Sequence, residues 1–412
     1  RGRVAPFNVT RARVHVWGSY CCCTTKSSIS PSSGRTNVQA ALATSLDLRC
    51  FLLLRSSSEL VLELPDIRVR KSWDVQELTT IVEDEGSSLE VLKRLSGILP
   101  GTEHPSAQSL ATYAFLYLLF GICKEERHGC LPCFHATIKS NLPFGAGLGS
   151  SAAYSVCLAA GLLCATGAVS RPSTSDVKPP PSPPLDPLDI PELLTSQLGG
   201  RVCPHWSSWS HHDLELINKW GYEAEKLMHG MPSGIDNSIS TFGGAIHFKS
   251  GSVSPLLRMP KLRILLVNTK VPRSTKKMVE GVRRRHDKFP EVIGPVLDSV
   301  EALVERAQKE LEHIAGGATS SYSTLEEMFL INQHLLNALG VGHHSLDQVF
   351  AIASQHGLAA KLTGGGGGGC AIILLHPDVA AETLTAAKRS FESAGFDCWE
   401  TQIGTQGVSL HW

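Results

Sequence analysis

Residues 145–151 read Gly-Ala-Gly-Leu-Gly-Ser-Ser, and residues 152–169 then continue for eighteen positions without a charged side chain. Few folds suit such a segment. Glycines at alternate positions let a backbone close around an anion, and a helix that begins just after them offers unpaired N–H groups and a positive dipole end. The apolar run is borderline in length for a membrane span. Its Ala, Gly, Ser and Cys content, entered directly from the glycine loop, predicts a buried small-residue helix beside a ligand site instead. No Lys follows the serines, which excludes the Gly-Lys-Ser/Thr nucleotide loop. A dinucleotide fold would want an acidic residue about twenty positions on, after a second strand, and that region is rich in proline. The two serines at the helix start favour phosphate.

Two further elements carry chemistry. Lys361-Leu362-Thr363 runs into six consecutive glycines, residues 364–369, and then into the apolar strand Cys370-Ala371-Ile372-Ile373. Such a run usually marks a flexible linker. Wedged between an apolar helix and an apolar strand, it predicts a backbone pressed against a phosphate or against another loop. The other element is Pro232-Ser233-Gly234-Ile235-Asp236-Asn237, with Glu225 eleven positions upstream. Beside a phosphate loop, two acids suit a division of labour, with Glu225 on a metal ion and Asp236 on a hydroxyl. Phosphoryl transfer asks for little else, because Mg²⁺ and positioning do most of the catalysis.

The surrounding pattern is mixed. Strands are predicted at residues 48–54, 60–64, 135–139, 262–267 and 370–375, and helices at 109–123, 212–230, 325–339, 346–356 and 380–394. Ile293, Val296, Leu297, Val300, Leu303, Val304, Ala307, Leu311 and Ile314 follow the i, i+3, i+4 spacing of an amphipathic helix over residues 295–314. Without regular βαβ alternation the fold class is α+β. Residues 170–204 hold nine of the chain's 23 prolines and predict a solvent-exposed insertion. The first 46 residues carry six Lys or Arg and no Asp or Glu. Residues 1–41 are therefore expected to be an atypical opening, either unstructured or mis-assembled in sequence.

Composition narrows function further. At 412 residues two domains are expected. Lys+Arg and Asp+Glu both number 38, a balance that argues against nucleic-acid and membrane-surface partners, which require a basic excess. The twelve cysteines lack framework spacing and predict reduced thiols in the cytoplasm, with the peroxisome as the alternative address.

Together these motifs resemble the GHMP small-molecule kinases. The resemblance is carried by residues 143–153, Asp213-Leu214-Glu215-Leu216-Ile217-Asn218-Lys219-Trp220, residues 232–237, Asn268-Thr269-Lys270-Val271-Pro272-Arg273, residues 336–343 and residues 361–370. It spans residue 42 to the C-terminus apart from the insertion. It implies an N-terminal α+β nucleotide domain (residues 42–260), a ferredoxin-like C-terminal domain (261–412) and a homodimer. It also implies ATP and Mg²⁺ as cofactors and mevalonate as the small-molecule hydroxyl acceptor. Carried over by position, Asp236 is the catalytic base, and Ser151 and Glu225 are the metal ligands. Ser140, Gly145, Ala146, Gly147, Leu148, Gly149, Ser150 and Ser151 contact ATP, while Thr275 and the glycines after Thr363 line the site. Two departures stand out. Asp66 occupies the place of an Asn that touches ATP. The family's opening motif, Pro-Gly-Lys-Val-Ile-Leu-x-Gly-Glu-His, is absent from residues 1–41. A nucleotide-binding homologue of reduced activity and a kinase for another small molecule are the alternative readings.

Overall fold

The computed structural model describes residues 12–24, 40–85, 89–126, 131–143, 145–169, 209–230, 232–249, 252–256 and 258–411. The proline-rich insertion expected at residues 170–204 lies outside them. Among the described residues no helix is long and apolar enough to cross a membrane.

Strand β2 (Ala40–Ser56) is the axis of the molecule and is buried along almost its whole length. One edge pairs antiparallel with β1 (Ala12–Thr24), from Ala12↔Leu54 to Thr24↔Ala41. The opposite edge is shared among three strands. Residues 40–44 pair with β6 (Ala245–Lys249), Leu46 meets Ile403 of β11 (Asp397–Ile403), and residues 50–56 pair with β5 (Phe134–Ser140). The opening segment, expected to be unstructured, thus contributes a strand over residues 12–24. An unpaired edge of β2 would expose a long row of backbone N–H and C=O groups. Backbone pairing satisfies that row whatever the side-chain pattern, so acid-poor composition gave no warning of it.

From β5 the sheet continues to β3 (Leu60–Leu64), which runs parallel to it, and then to β4 (Val69–Trp73). On the other side β11 leads to β8 (Leu262–Asn268), β10 (Cys370–Leu374) and β9 (Ala360–Leu362), all antiparallel. In chain order this half runs β8, then helices α7 (Thr275–Lys288), α8 (Pro290–Ala315), α9 (Ser321–Ala338) and α10 (His344–Gln355), then β9, β10, α11 (Ala381–Ser393) and β11. That is strand, helices, strand, strand, helix, strand, which is the ferredoxin-like order. Pro290 sets the start of α8, five residues before the predicted one, because its missing N–H costs nothing at a first helical position. Strand β12 (Ser409–His411) returns to β1, so the chain's last strand lies against the N-terminal half.

The predicted small-residue helix is α4 (Ser150–Thr166), buried from Ala152 onward except at Tyr154 and Thr166. Its small residues permit close crossing. A Cβ on Gly161 would fall 2.2 Å from Leu52 Cδ2, so α4 lies directly on β2. Helix α5 (His211–His229) crosses α4 in the same way, where a Cβ on its Gly221 would stand 2.7 Å from Val156 Cγ2. These crossings hold α4 and α5 in fixed register, and the site described below depends on that.

Where the two halves meet, Leu311, Leu325, Met328, Phe329, Asn332 and Lys361 help line a cavity of about 40 Å³. Asn332 is only 1% exposed, and neither its Nδ2 nor its Oδ1 has a hydrogen-bond partner among the described residues. A buried unpaired amide costs about 1–3 kcal/mol. Asn332→Leu, which keeps the branched shape and can extend into the cavity, is therefore expected to raise the urea midpoint of unfolding. A lowered midpoint would show instead that the amide is hydrogen-bonded by water within the cavity.

Candidate active site

The glycine loop joins β5 to α4. Gly145, Gly147 and Gly149 all take positive φ (69°, 74° and 68°), a backbone state that other residues rarely adopt. Between them Ala146 and Leu148 are buried at 4% and 0% exposure and pin the loop to the core. The glycine backbone is left on the outer side, with Ser150 and Ser151 half-buried at the head of α4. Ser140, at the end of β5, donates its backbone N–H to Asp66 Oδ2 at 2.7 Å, and its hydroxyl accepts from Leu142 N at 3.1 Å. Asp66, the departure noted above, thereby fixes the strand end that enters the loop.

Glu225 projects from α5 beneath the loop and is 3% exposed. Ser151 Oγ donates to its Oε2 at 3.3 Å, and Ser155 Oγ to its Oε1 at 3.4 Å. His229, one turn later on α5, places Nε2 3.0 Å from Ser151 Oγ and 3.9 Å from Glu225 Oε2. Sequence reasoning missed His229, although its i, i+4 spacing from Glu225 puts both on one helix face.

Asp236 stands half-buried in the first turn of α6 (Ile235–Phe242), where the helix dipole favours a negative side chain. Two contacts tie that turn to α5. Asn237 Nδ2 donates to Asn218 Oδ1 at 2.7 Å, and Tyr222 OH donates to Pro232 O at 3.4 Å. Helix α6 also packs on α4, so the three helices that carry Ser151, Glu225 and Asp236 form one cluster.

The six-glycine run is no linker. Gly367 N donates to Val341 O at 2.8 Å and Gly369 N to Val271 O at 3.0 Å, so the run is strapped between two neighbouring loops. Arg273 joins it to the first glycine loop, with Nη1 donating to Thr363 O and Nη2 to Gly147 O, each at 2.8 Å. A Cβ on Gly147 would overlap that guanidinium, and one on Gly369 would stand 2.8 Å from Ala146 O. The expected close approach is therefore to another loop. Lys270 pairs with Asp397 at 2.7 Å, and Lys361 is buried with Nζ donating to Leu362 O at 2.9 Å. The adjacent Cys370 thiol is pushed up to about 12 by burial, which makes it no nucleophile. The side chain of Thr275 lies outside the described residues.

The Ser151 hydroxyl and the Glu225 carboxylate at the head of the glycine loop are hard oxygen donors. They suit Mg²⁺, which binds through one or two carboxylates and completes its shell with phosphate oxygens. The donor set fits that ion.

A positive-φ glycine loop at a helix head, two acids on adjoining helices and a ferredoxin-like second half define a small-molecule kinase of the GHMP type. Residues 114–173 match the family model described as GHMP kinases N terminal domain, and residues 299–393 match GHMP kinases C terminal. The chain is 45% identical over 386 residues to mevalonate kinase of Bos taurus, with 90% of each chain covered. To mevalonate kinase of Homo sapiens it is 44% identical over 386 residues, again with 90% of each covered. The crystal structure of Methanococcus jannaschii mevalonate kinase has the same fold, with a TM-score of 0.61 at 16% identity over 97% of this chain and 100% of that one. The chain belongs to the mevalonate kinase family, and it is an ATP-dependent phosphotransferase.

Proposed function

We propose that this protein transfers the γ-phosphate of ATP to the primary hydroxyl of mevalonate, giving 5-phosphomevalonate and ADP for isoprenoid and sterol synthesis. The observation that carries the reading is the junction of Ser151 and Glu225 at the head of the glycine loop, with Asp236 on the helix packed beside them. The backbone N–H groups at the head of α4 bind the phosphates, and Ser140 with residues 145–151 forms the ATP-contacting wall. Ser151 and Glu225 would hold Mg²⁺, which when bound neutralises charge on the phosphates. Asp236 accepts or orients the proton of the attacking hydroxyl while the bond from the γ-phosphorus to the leaving ADP oxygen breaks. Arg273 keeps the two glycine loops joined around that space. The same reading includes a cytoplasmic homodimer with residues 42–260 as nucleotide domain and 261–412 as the second domain.

A coupled ADP-release assay offering mevalonate, phosphomevalonate, galactose or homoserine tests the assignment. Turnover on mevalonate is expected, and robust turnover only on another member of the panel would overturn it. Ser151→Ala and Glu225→Gln are each expected to raise the Mg²⁺ requirement, because each removes one hard oxygen. Titration of activity against free Mg²⁺ checks this. Variants that both track wild type at limiting metal would remove the two residues from the metal site.

A further inference from the structure

His229 has no part in the reaction as written above, yet it touches the hydroxyl that the reading needs most. Its Nε2 lies 3.0 Å from Ser151 Oγ, closer than Glu225 Oε2 at 3.3 Å. A serine hydroxyl has one proton and two lone pairs, and an ionised carboxylate only accepts. If the Ser151 proton pointed to His229, the Ser151 and Glu225 oxygens would face each other with no proton between them. With Glu225 ionised, as a metal ligand must be, the Ser151 proton points to Glu225, and the contact with His229 is Nε2–H donating to Ser151 Oγ. Both the neutral Nε2–H tautomer and the imidazolium supply that donor. The hydroxyl rotor is then fixed at two points, and one lone pair of Oγ stays uncommitted.

We propose that His229 is a positioning residue for the metal site: its Nε2–H locks the Ser151 hydroxyl so that the remaining lone pair is presented to the nucleotide-bound divalent cation. The structure supports such a role on three counts. His229 reaches Ser151 from α5, the helix that also carries Glu225, so one rigid element sets both partners of the hydroxyl. Gly221 keeps α5 seated on α4, which fixes the distance between them. Glu225 is only 3% exposed, so solvent scarcely competes for its side of the arrangement. The His229 side chain is 53% exposed, which places its effect at the lower end of what a partner of a metal ligand contributes.

This inference rests on Ser151 and Glu225 being the metal ligands, and the experiment separates the two claims. Binding of Mn²⁺ to the full chain in the presence of a non-hydrolysable ATP analogue is followed by the EPR signal of free Mn²⁺. His229→Leu is expected to weaken Mn²⁺ binding about tenfold. His229→Gln, whose amide N–H can reach the same oxygen, should restore most of that loss. On a Ser151→Ala background His229→Leu should cost much less, because its hydrogen bond to the Ser151 hydroxyl has gone and the longer 3.9 Å contact with Glu225 remains. An additive loss in the double variant, or a Gln variant as weak as the Leu variant, overturns the positioning role. Wild-type Mn²⁺ affinity in His229→Leu alongside weakened Ser151→Ala and Glu225→Gln also overturns it, while leaving the ligand assignment intact. Unchanged affinity in all of these variants overturns both claims.

Discussion

Asp236→Asn is expected to lower kcat by about 10²–10⁴-fold, the usual contribution of a general base, while the affinity for ATP stays close to wild type. The separation follows from where the groups sit. In the proposed reaction the phosphates lie on the glycine loop and the head of α4, whereas Asp236 belongs to α6, a different helix. The substitution is nearly isosteric, and it keeps the polar side chain in the first turn. The fold around it is held by neighbours that the substitution does not touch, namely the Asn237–Asn218 and Tyr222–Pro232 hydrogen bonds. Stopped-flow measurement of a single turnover, with nucleotide binding measured separately by calorimetry, distinguishes the two effects. Turnover that survives unchanged would remove Asp236 from proton transfer, and loss of both properties would mean that it helps to hold the nucleotide.

Much of this site was legible in the sequence because its chemistry lies in contiguous motifs. The glycine loop, the buried helix after it and the turn before Asp236 all appear where residue type and spacing put them. Periodicity also located α3 (Ala107–Glu126), β3, β5, α5 and α9 to within a few residues. What sequence could not show is what sits opposite each motif. Arg273 bonds both Gly147 O and Thr363 O, two carbonyls far apart in sequence that no local pattern pairs. His229 belongs to none of the motifs read from the sequence, and the crossing of α4 and α5 is what brings it to Ser151. Strand β2 was predicted to begin at residue 48 but begins at Ala40, because the Ala-rich start has no alternation to detect. Helix α7 was missed because Met278, Val279 and Val282 are the few apolar residues in its highly charged sequence. Short strands such as β9 and β12 carry too few residues to show any period.

The second large effect is expected in the six-glycine run, where Gly366→Ala should destabilise the protein far more than Gly395→Ala. Both glycines have positive φ, 69° at Gly366 and 85° at Gly395. That backbone state alone costs an alanine about 1–2 kcal/mol. The surroundings differ. A Cβ on Gly395 meets nothing within 4 Å, whereas one on Gly366 would stand 2.1 Å from Val341 O. That carbonyl cannot easily retreat, because it also accepts the Gly367 N–H at 2.8 Å. Forced overpacking adds about 1–3 kcal/mol, and relief by moving the loop would break the Gly367 bond. The displacement would also reach the first glycine loop, since Arg273 holds both Thr363 O at the start of the run and Gly147 O. Gly366→Ala is therefore expected to lower the urea midpoint and kcat/KM for ATP together, while Gly395→Ala lowers the midpoint slightly and leaves kinetics alone. Equal midpoints for the two variants would show that the run yields to a side chain, and that its six glycines are not there to let three loops close on one another.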